Sequence, residues 1–379
     1  ITLDGSQIVL DKSLTLDGDL NDDGVADITI DANEQSRVIL VDDKTTMKQP
    51  VTLEGLVLRG GVVTGGGGGI FNAESLTVRN SIISHNSSTF TGGGVSNFGK
   101  LEITDSIISN NSSQFGGGLF DRGELTVINS TISKNNAKSG GGFYNQGFIQ
   151  VIESTVSENT AQFGGGLRND QTMQIINSTI SDNSAELGGG LFSLIDTTVT
   201  NSTISGNFAA KEGGGIYNNN TSTPSQKLAV SNSTISGNVA GANGGGVSQK
   251  DNRSGRSGTF HNTIVAGNLL SDGTLNDIDG ILDDGGTYNL IGDGSSTGGL
   301  IHGEDGNIVG DGNGGSLDLS TILDTRLGDN GGPTLTHALV ENSLARNAGD
   351  PSFDDSTATD QRGFARLQEG QIDIGAVEF

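Results

Sequence analysis

Gly-Gly-Gly triplets begin at Gly67, Gly92, Gly116, Gly140, Gly164, Gly188, Gly213 and Gly244, in steps of 25, 24, 24, 24, 24, 25 and 31 residues. A unit this short cannot bury an apolar face by itself, so a period near 24 forces the chain to stack its repeats on one another. A second marker keeps the same step. The run Asn-Ser-Thr-Ile-Ser-x-Asn occupies Asn177 to Asn183, Asn201 to Asn207 and Asn232 to Asn238, and its closing asparagine recurs as Asn86, Asn111, Asn135, Asn159, Asn183, Asn207, Asn238 and Asn268.

Within a unit the apolar residues alternate with period two, as in Leu125-Thr126-Val127 and then Ser130-Thr131-Ile132-Ser133. That is strand spacing, and no stretch offers a helix-length apolar stripe. The column Ile83, Ile108, Ile132, Val156, Ile180, Ile204, Ile235 and Val265 is expected to face inward, with the hydroxyl column from Ser81 to Thr263 two residues before it. Thr131, Thr155, Thr179, Thr203 and Thr234, with Ser133, Ser157, Ser181, Ser205 and Ser236, are expected to form a flat outward face. Short strands and tight bends at this period describe an all-β parallel solenoid of about 24 residues per coil. Three short sheets would form it, with coils ~4.8 Å apart. The recurring asparagine is read as a bend residue in the left-handed conformation that bonds to its equivalent in the next coil. The triplet is read as a corner that passes close to the neighbouring coil.

Composition excludes several classes. With 62 Gly in 379 residues the chain would read as low-complexity, were the glycines not periodic. There is no cysteine, hence no disulfide framework and no thiolate site. Twenty Lys and Arg against 45 Asp and Glu leave a net charge of −25, which repels nucleic acid and anionic lipid and favours divalent cations. No apolar run reaches spanning length, and the first residues lack the basic and apolar regions of a signal peptide.

Four regions follow: amino-terminal coils over 1–60, regular coils over 61–271, irregular Asp/Gly-rich coils over 272–323, and a segment over 324–379 read as a cap for the open end. Polar insertions lengthen the coils at Asn219 to Lys227 and at Ser248 to Gly258. The last region carries Asn330-Gly331-Gly332-Pro333-Thr334, Ala348-Gly349-Asp350, Asp360-Gln361-Arg362-Gly363, Arg366 and Asp373-Ile374-Gly375-Ala376-Val377-Glu378. In that order these motifs resemble the carboxy-terminal signature of the bacterial choice-of-anchor Q proteins. The Gly-Gly-Gly-Ile-Tyr-Asn and Asn-Ser-Thr-Ile-Ser-Gly-Asn coils are similar to the repeats of that group, abundant in cyanobacteria. More loosely they resemble chlamydial polymorphic outer-membrane proteins. The resemblance implies a right-handed parallel β-helix that is secreted or displayed at the cell surface, and it supplies no catalytic residues.

The strongest local motif runs from Asp17 to Asp27. Asp19, Asn21, Asp23 and Asp27 follow the spacing D-x-[DN]-x-D-G-x-x-D, with Gly24 for the sharp turn, and the Val25 carbonyl makes a fifth oxygen. Such loops wrap Ca²⁺, although the same residues would also form a plain turn between strands Ser13 to Leu16 and Ile28 to Ile30. Two further acidic stretches, Asp277, Asp279, Asp283, Asp284 and Asp293, then Asp305, Asn307, Asp311 and Asn313, have ligand types without ligand spacing. The basic cluster is Lys250, Arg253, Arg256 and His261.

The expected function is a calcium-stabilised extracellular β-helix acting as a rigid structural or adhesive element. Its expected partners are Ca²⁺, copies of itself and an extracellular polysaccharide. The rival is a polysaccharide lyase or hydrolase. The ordered motifs of β-helical pectin hydrolases are absent from the chain, and a lyase needs a cationic groove and a free base.

Overall fold

The computed structural model describes residues 1–44, 49–219, 228–250, 258–282, 286–355, 357–368 and 370–379. The chain is an all-β parallel solenoid in two compact units, Ile1–Met173 and Gln174–Phe379. Among the described residues no helix is long and apolar enough to cross a membrane.

One coil of the first unit shows the plan. Strand Ile82–Ser84 is followed by Ser87–Ser88, the triplet at Gly92, strand Val95–Asn97, strand Lys100–Thr104 and a bend at Asp105. The next coil repeats it in parallel register: Ile83 lies against Ile108, Val95 against Leu119, and Leu101 against Leu125. Inward residues of these strands, Ile83, Ile108, Ile132, Val95, Leu101 and Leu125, are buried. Each contributes about 1.5–3 kcal/mol by leaving water. The chain expected to make three sheets makes a fourth, through Val62–Val63, Ser87–Ser88, Ser112–Phe115 and Asn136–Ser139. Its strands are short and largely polar, with single small inward residues such as Ala137, so they carry no apolar alternation to read.

The corner residues behave differently from the expectation. The left-handed position belongs to the residue before the closing asparagine: His85 (φ 57°), Asn110 (57°), Lys134 (58°) and Glu158 (55°). The asparagine itself is buried and stacked. Asn86 donates its backbone N–H and its Nδ2 to Asn111 Oδ1 at 3.0 and 3.1 Å, and Asn111 and Asn135 do the same to the next in line. Each Nδ2 also reaches a strand carbonyl, as Asn135 does to Ile108 at 2.9 Å. The bend therefore separates two tasks, backbone reversal and side-chain pairing, between adjacent residues. The triplet is the close corner expected: Gly92 has φ 56°, and a Cβ on Gly93 would lie 2.4 Å from the Ser112 carbonyl oxygen.

The amino-terminal coils have strands Ile8–Leu10, Leu14–Asp17, Ile28–Asp31 and Ile39–Val41. The Asp17 to Asp27 segment replaces the one-residue bend of later coils with an exposed loop.

The second unit stacks Thr179–Ser181, Thr203–Ser205, Thr234–Ser236, Ile264–Ala266, Leu290–Ile291 and Ile308–Val309 on one face. The polar insertions fall largely at 220–227 and 251–257, outside the described residues. The segment from 324 onward, read as an end cap, makes its contacts along the flank, on the supposedly open hydroxyl face. Gln361 Nε2 donates to Thr179 Oγ1 (3.0 Å) and its Oε1 accepts from Thr203 Oγ1 (2.7 Å). His337 Nε2 lies 2.8 Å from Ser205 Oγ, and the Ala376 N–H donates to Thr234 Oγ1. Ile264, Ala266 and Leu290 share an apolar cluster with Ile322, Leu323, Leu339, Ala345, Ile374, Ala376 and Val377. Arg366, fully buried, is paired with Glu378 at 2.7 Å and reaches Asn201 Oδ1. Thr179, Thr203 and Thr234 are thus sealed, whereas Thr131 and Thr155 in the first unit are half-buried beside an exposed Ile107. A flat hydroxyl face five coils long does not exist.

Candidate functional site

The loop at Asp19 is closed by its own acidic side chains. Asp19 accepts from the N–H groups of Asp23 (3.2 Å) and Gly24 (2.8 Å), Asp23 from Val25 (2.9 Å), Asn21 Oδ1 from Asp23 (3.3 Å), and Asp27 from Leu20 (2.9 Å). Asp22 and Gly24 are left-handed, with φ 56° and 77°. A carboxylate has about four lone-pair sites, so the two N–H groups on Asp19, the two on Asp23 and the one on Asp27 leave lone pairs to bind a hard cation. The donor set is all oxygen and the loop is exposed, so these residues fit Ca²⁺ in kind. A carboxylate trio the sequence did not suggest is Asp42, Asp43 and Glu74, whose ligand oxygens lie within 4.8 Å of one another. Its members are brought together by coil stacking, and Glu74 already accepts from the Asp43 and Gln49 amides.

The other sequence candidates are engaged in the fold. Asp277 is buried and accepts from Asn268 N, Asn268 Nδ2 and Asp293 N, and burial pushes its carboxyl up to about 7. Asp293, also buried, accepts the hydroxyls of Ser295, Ser296 and Ser316. These two carboxylates are sealed from any polymer substrate. Asp283 and Asp284 lie outside the described residues. Asn307 accepts from Asn289, and Asp311 from the Asn313 and Gly315 amides. Of the basic cluster, Arg253 and Arg256 lie outside the described residues. Lys250 sits between Glu212 (3.0 Å) and Asp279 (3.1 Å); partial burial opposes its charge, but these two carboxylates outweigh it and hold the amine protonated. A lysine so held is a poor general base. His261 is turned to Thr287 Oγ1 at 2.7 Å, and burial lowers its pKa although Asp350 opposes this.

A second candidate surface is aromatic. In the first unit, strands Ile70–Asn72, Val95–Asn97, Leu119–Asp121, Phe143–Asn145 and Leu167–Asn169 bury their first residues in the core. Their third residues, Asn72, Asn97, Asp121, Asn145 and Asn169, line a buried corner. The middle residues point outward: Phe71, Ser96, Phe120, Tyr144 and Arg168. Phe90 and Phe115, which precede two triplets, rise on one side, and Phe98 from a turn rises on the other. Ring centroids are 5.3 Å apart for Phe90 and Phe115, 5.3 Å for Phe71 and Phe98, 5.6 Å for Phe115 and Tyr144, and 5.7 Å for Phe120 and Tyr144. Between them lies a groove of about 330 Å³, also lined by Thr91, Arg122 and Gln146.

Its polar groups are arranged in a partial network. Tyr144 donates to Asp170 (2.6 Å) and accepts from Gln146 (2.9 Å); burial and Asp170 push its phenol up to about 12, so it stays neutral. Arg168 is neutralised by Asp170 at 2.9 Å and stacks over Tyr144 at 4.9 Å. Arg122 is exposed at the rim without an ion pair among the described residues. Phe90 (54 % exposed) and Phe98 (40 %) present ring area to solvent, a cost that a soluble surface normally avoids. The signal was in the sequence, as an aromatic one residue before the corner Asn or Asp in three coils and one or two residues before the triplet in others.

No protein-family model matches the chain, and no curated protein matches it. Among solved structures, the crystal structure of pectate lyase Pel9A is similar at 17% identity, with a TM-score of 0.48, covering 98% of this chain and 87% of that one.

Proposed function

We propose that the chain is a rigid β-helix, secreted or held at the cell surface, that adheres to an extracellular polysaccharide through the aromatic groove of its first unit. The observation that carries this reading is the pair of exposed rings, Phe90 and Phe98, over a floor of buried Phe120 and Tyr144, flanked by a neutral network and, among the described residues, one guanidinium without an ion pair, that of Arg122. Aromatic walls with a few polar groups are the usual make-up of a small-ligand or sugar site. The choice-of-anchor Q likeness of the tail supports the surface location. Asp19, Asn21, Asp23, Asp27 and the Val25 carbonyl would hold Ca²⁺, which supplies a cross-link between the two ends of the loop. A carbohydrate-active role would need a free base beside the groove. There Asp170 is occupied by Tyr144 and Arg168.

The test is retention of the full chain on a panel of immobilised polysaccharides, with product release followed in parallel. Retention without new reducing or unsaturated ends is expected, and cleavage would replace the adhesive reading with the enzymatic one. Chelation is expected to lower the melting temperature. An unchanged melting temperature in wild type and Asp23→Ala, with and without Ca²⁺, would remove calcium from the proposal.

A further inference from the structure

The groove also constrains the kind of glycan, if the adhesive reading on which this step rests is right. We infer that it takes an uncharged, equatorially linked polysaccharide lying parallel to the stacking direction, about one sugar per coil.

Three observations lead there. The first is period. Rings recur once per coil, Phe90 then Phe115 on the wall and, beneath them and buried, Phe120 then Tyr144, with centroids 5.3 and 5.7 Å apart and successive ring planes turned by 84° and 75°. The coils that carry them are ~4.8 Å apart. A pyranose chain joined through equatorial bonds is a flat, extended ribbon that advances by about that distance per sugar, whereas axial linkages bend or coil the chain out of step.

The second is the chemistry of the two faces. An all-equatorial pyranose shows C–H groups above and below and hydroxyls around its edge. The C–H faces suit the electron-rich faces of Phe90, Phe98 and Phe115. The edge hydroxyls suit Gln146 and Arg122 on the rim and the Thr91 hydroxyl.

The third is charge. Arg168 is cancelled by Asp170, so the groove offers Arg122 as its unpaired cation among the described residues, on a chain of net charge −25. A polyanion is repelled by that field before it reaches the rings. An uncharged polymer is not.

The experiment titrates the full chain with cellohexaose (neutral, equatorial), maltohexaose (neutral, axial) and hexagalacturonate (anionic), at low and high salt. Wild type should bind cellohexaose at least tenfold more tightly than the other two, with no salt dependence. Phe90→Ala and Phe98→Ala should each weaken it by about three- to tenfold, as loss of one stacked ring does. Both rings are partly solvent-facing, so unchanged melting temperatures would establish that the variants are folded, and Arg122→Ala serves as a second probe on the side that carries Phe98. Preferred binding of hexagalacturonate or maltohexaose would overturn the inference while leaving glycan adhesion standing. Cellohexaose binding that ignores all three substitutions would move the site elsewhere. Failure of every hexasaccharide and every immobilised polysaccharide would end both readings.

Discussion

Replacing Asp121 by asparagine should stabilise the protein, by an amount that sets in above about pH 4 and is complete above about pH 6. In the corner column below the groove, Asn72 Nδ2 donates to Asn97 Oδ1 (2.7 Å), Asn97 to Asp121 Oδ1 (2.6 Å), and Asn145 to Asn169 Oδ1 (2.8 Å). Asp121 is paired in register with Asn145 but has no amide to give, and its buried Oδ2 meets no donor or acceptor partner. A proton on Oδ2 supplies the missing donor. Burial, joined by the charge of Glu124 and opposed by bonds from Asn97 and Gly123, pushes the Asp121 carboxyl up from 3.8 to about 6.

The sign follows from which form the fold prefers. A carboxyl raised in the folded state stabilises fully below its unfolded value near 3.8 and loses that contribution as pH rises through about 6. Two units at ~1.4 kcal/mol each make the ionised side chain cost about 3 kcal/mol at pH 8 relative to pH 3. Asp121→Asn removes that cost and completes the column. The difference in unfolding midpoint between variant and wild type, in urea or on heating, isolates this group from others that titrate nearby. It should be small at pH 4 and grow to about 2–3 kcal/mol in favour of the variant at pH 8. A difference that does not change with pH, or one that favours aspartate at pH 8, would refute the neutral-acid argument.

Asn135→Ala removes four hydrogen bonds: two from Asn111, one to Asn159 Oδ1 and one to the Ile108 carbonyl. It should cost at least ~3 kcal/mol in urea unfolding, and a loss below ~1 kcal/mol would mean that the stack is held by apolar columns alone. Gly93→Ala places a methyl 2.4 Å from the Ser112 carbonyl oxygen and should abolish soluble expression or lower the melting temperature sharply; a neutral result would show that the corner can yield. Gln361→Ala loses contacts to Thr179 and Thr203 on the sealed hydroxyl face and to Thr334 within its own segment. Residues 324–379 should then be cut earlier by protease, with faster amide exchange at Thr179 to Thr234, and equal rates would assign the docking to the apolar cluster and Arg366 instead.

The solenoid was legible because its causes are local and repeated. The Ile83 column and the triplets at fixed register state the strand, the corner and the coil length. The fourth sheet was not, since strands such as Ser112–Phe115 are half-buried or exposed throughout and keep no apolar alternation. Nor was the tail's position, because Gln361, His337 and Arg366 find partners more than a hundred residues away, which no spacing records. The groove lay between these cases. Phe71, Phe120 and Tyr144 are periodic in sequence, but Phe90 and Phe98 join them only once coils stack. Asp121 carries no signal of its own in the sequence, because its place in the buried corner column is set by stacking.

The buried amides of the second unit have a polarity. From Asn183 through Asn207, Asn238 and Asn268, each side-chain Nδ2 donates to the oxygen of its counterpart in the following coil, and the series ends on Asp277, which accepts twice from Asn268. A terminal asparagine would hold an amino group with nothing to receive it, so the carboxylate works as a stop. Whole coils could be spliced in or removed upstream of that stop without leaving a broken end. A coil grafted after it would begin with an amide oxygen facing a carboxyl whose two oxygens already accept from Asn268 and Asp293.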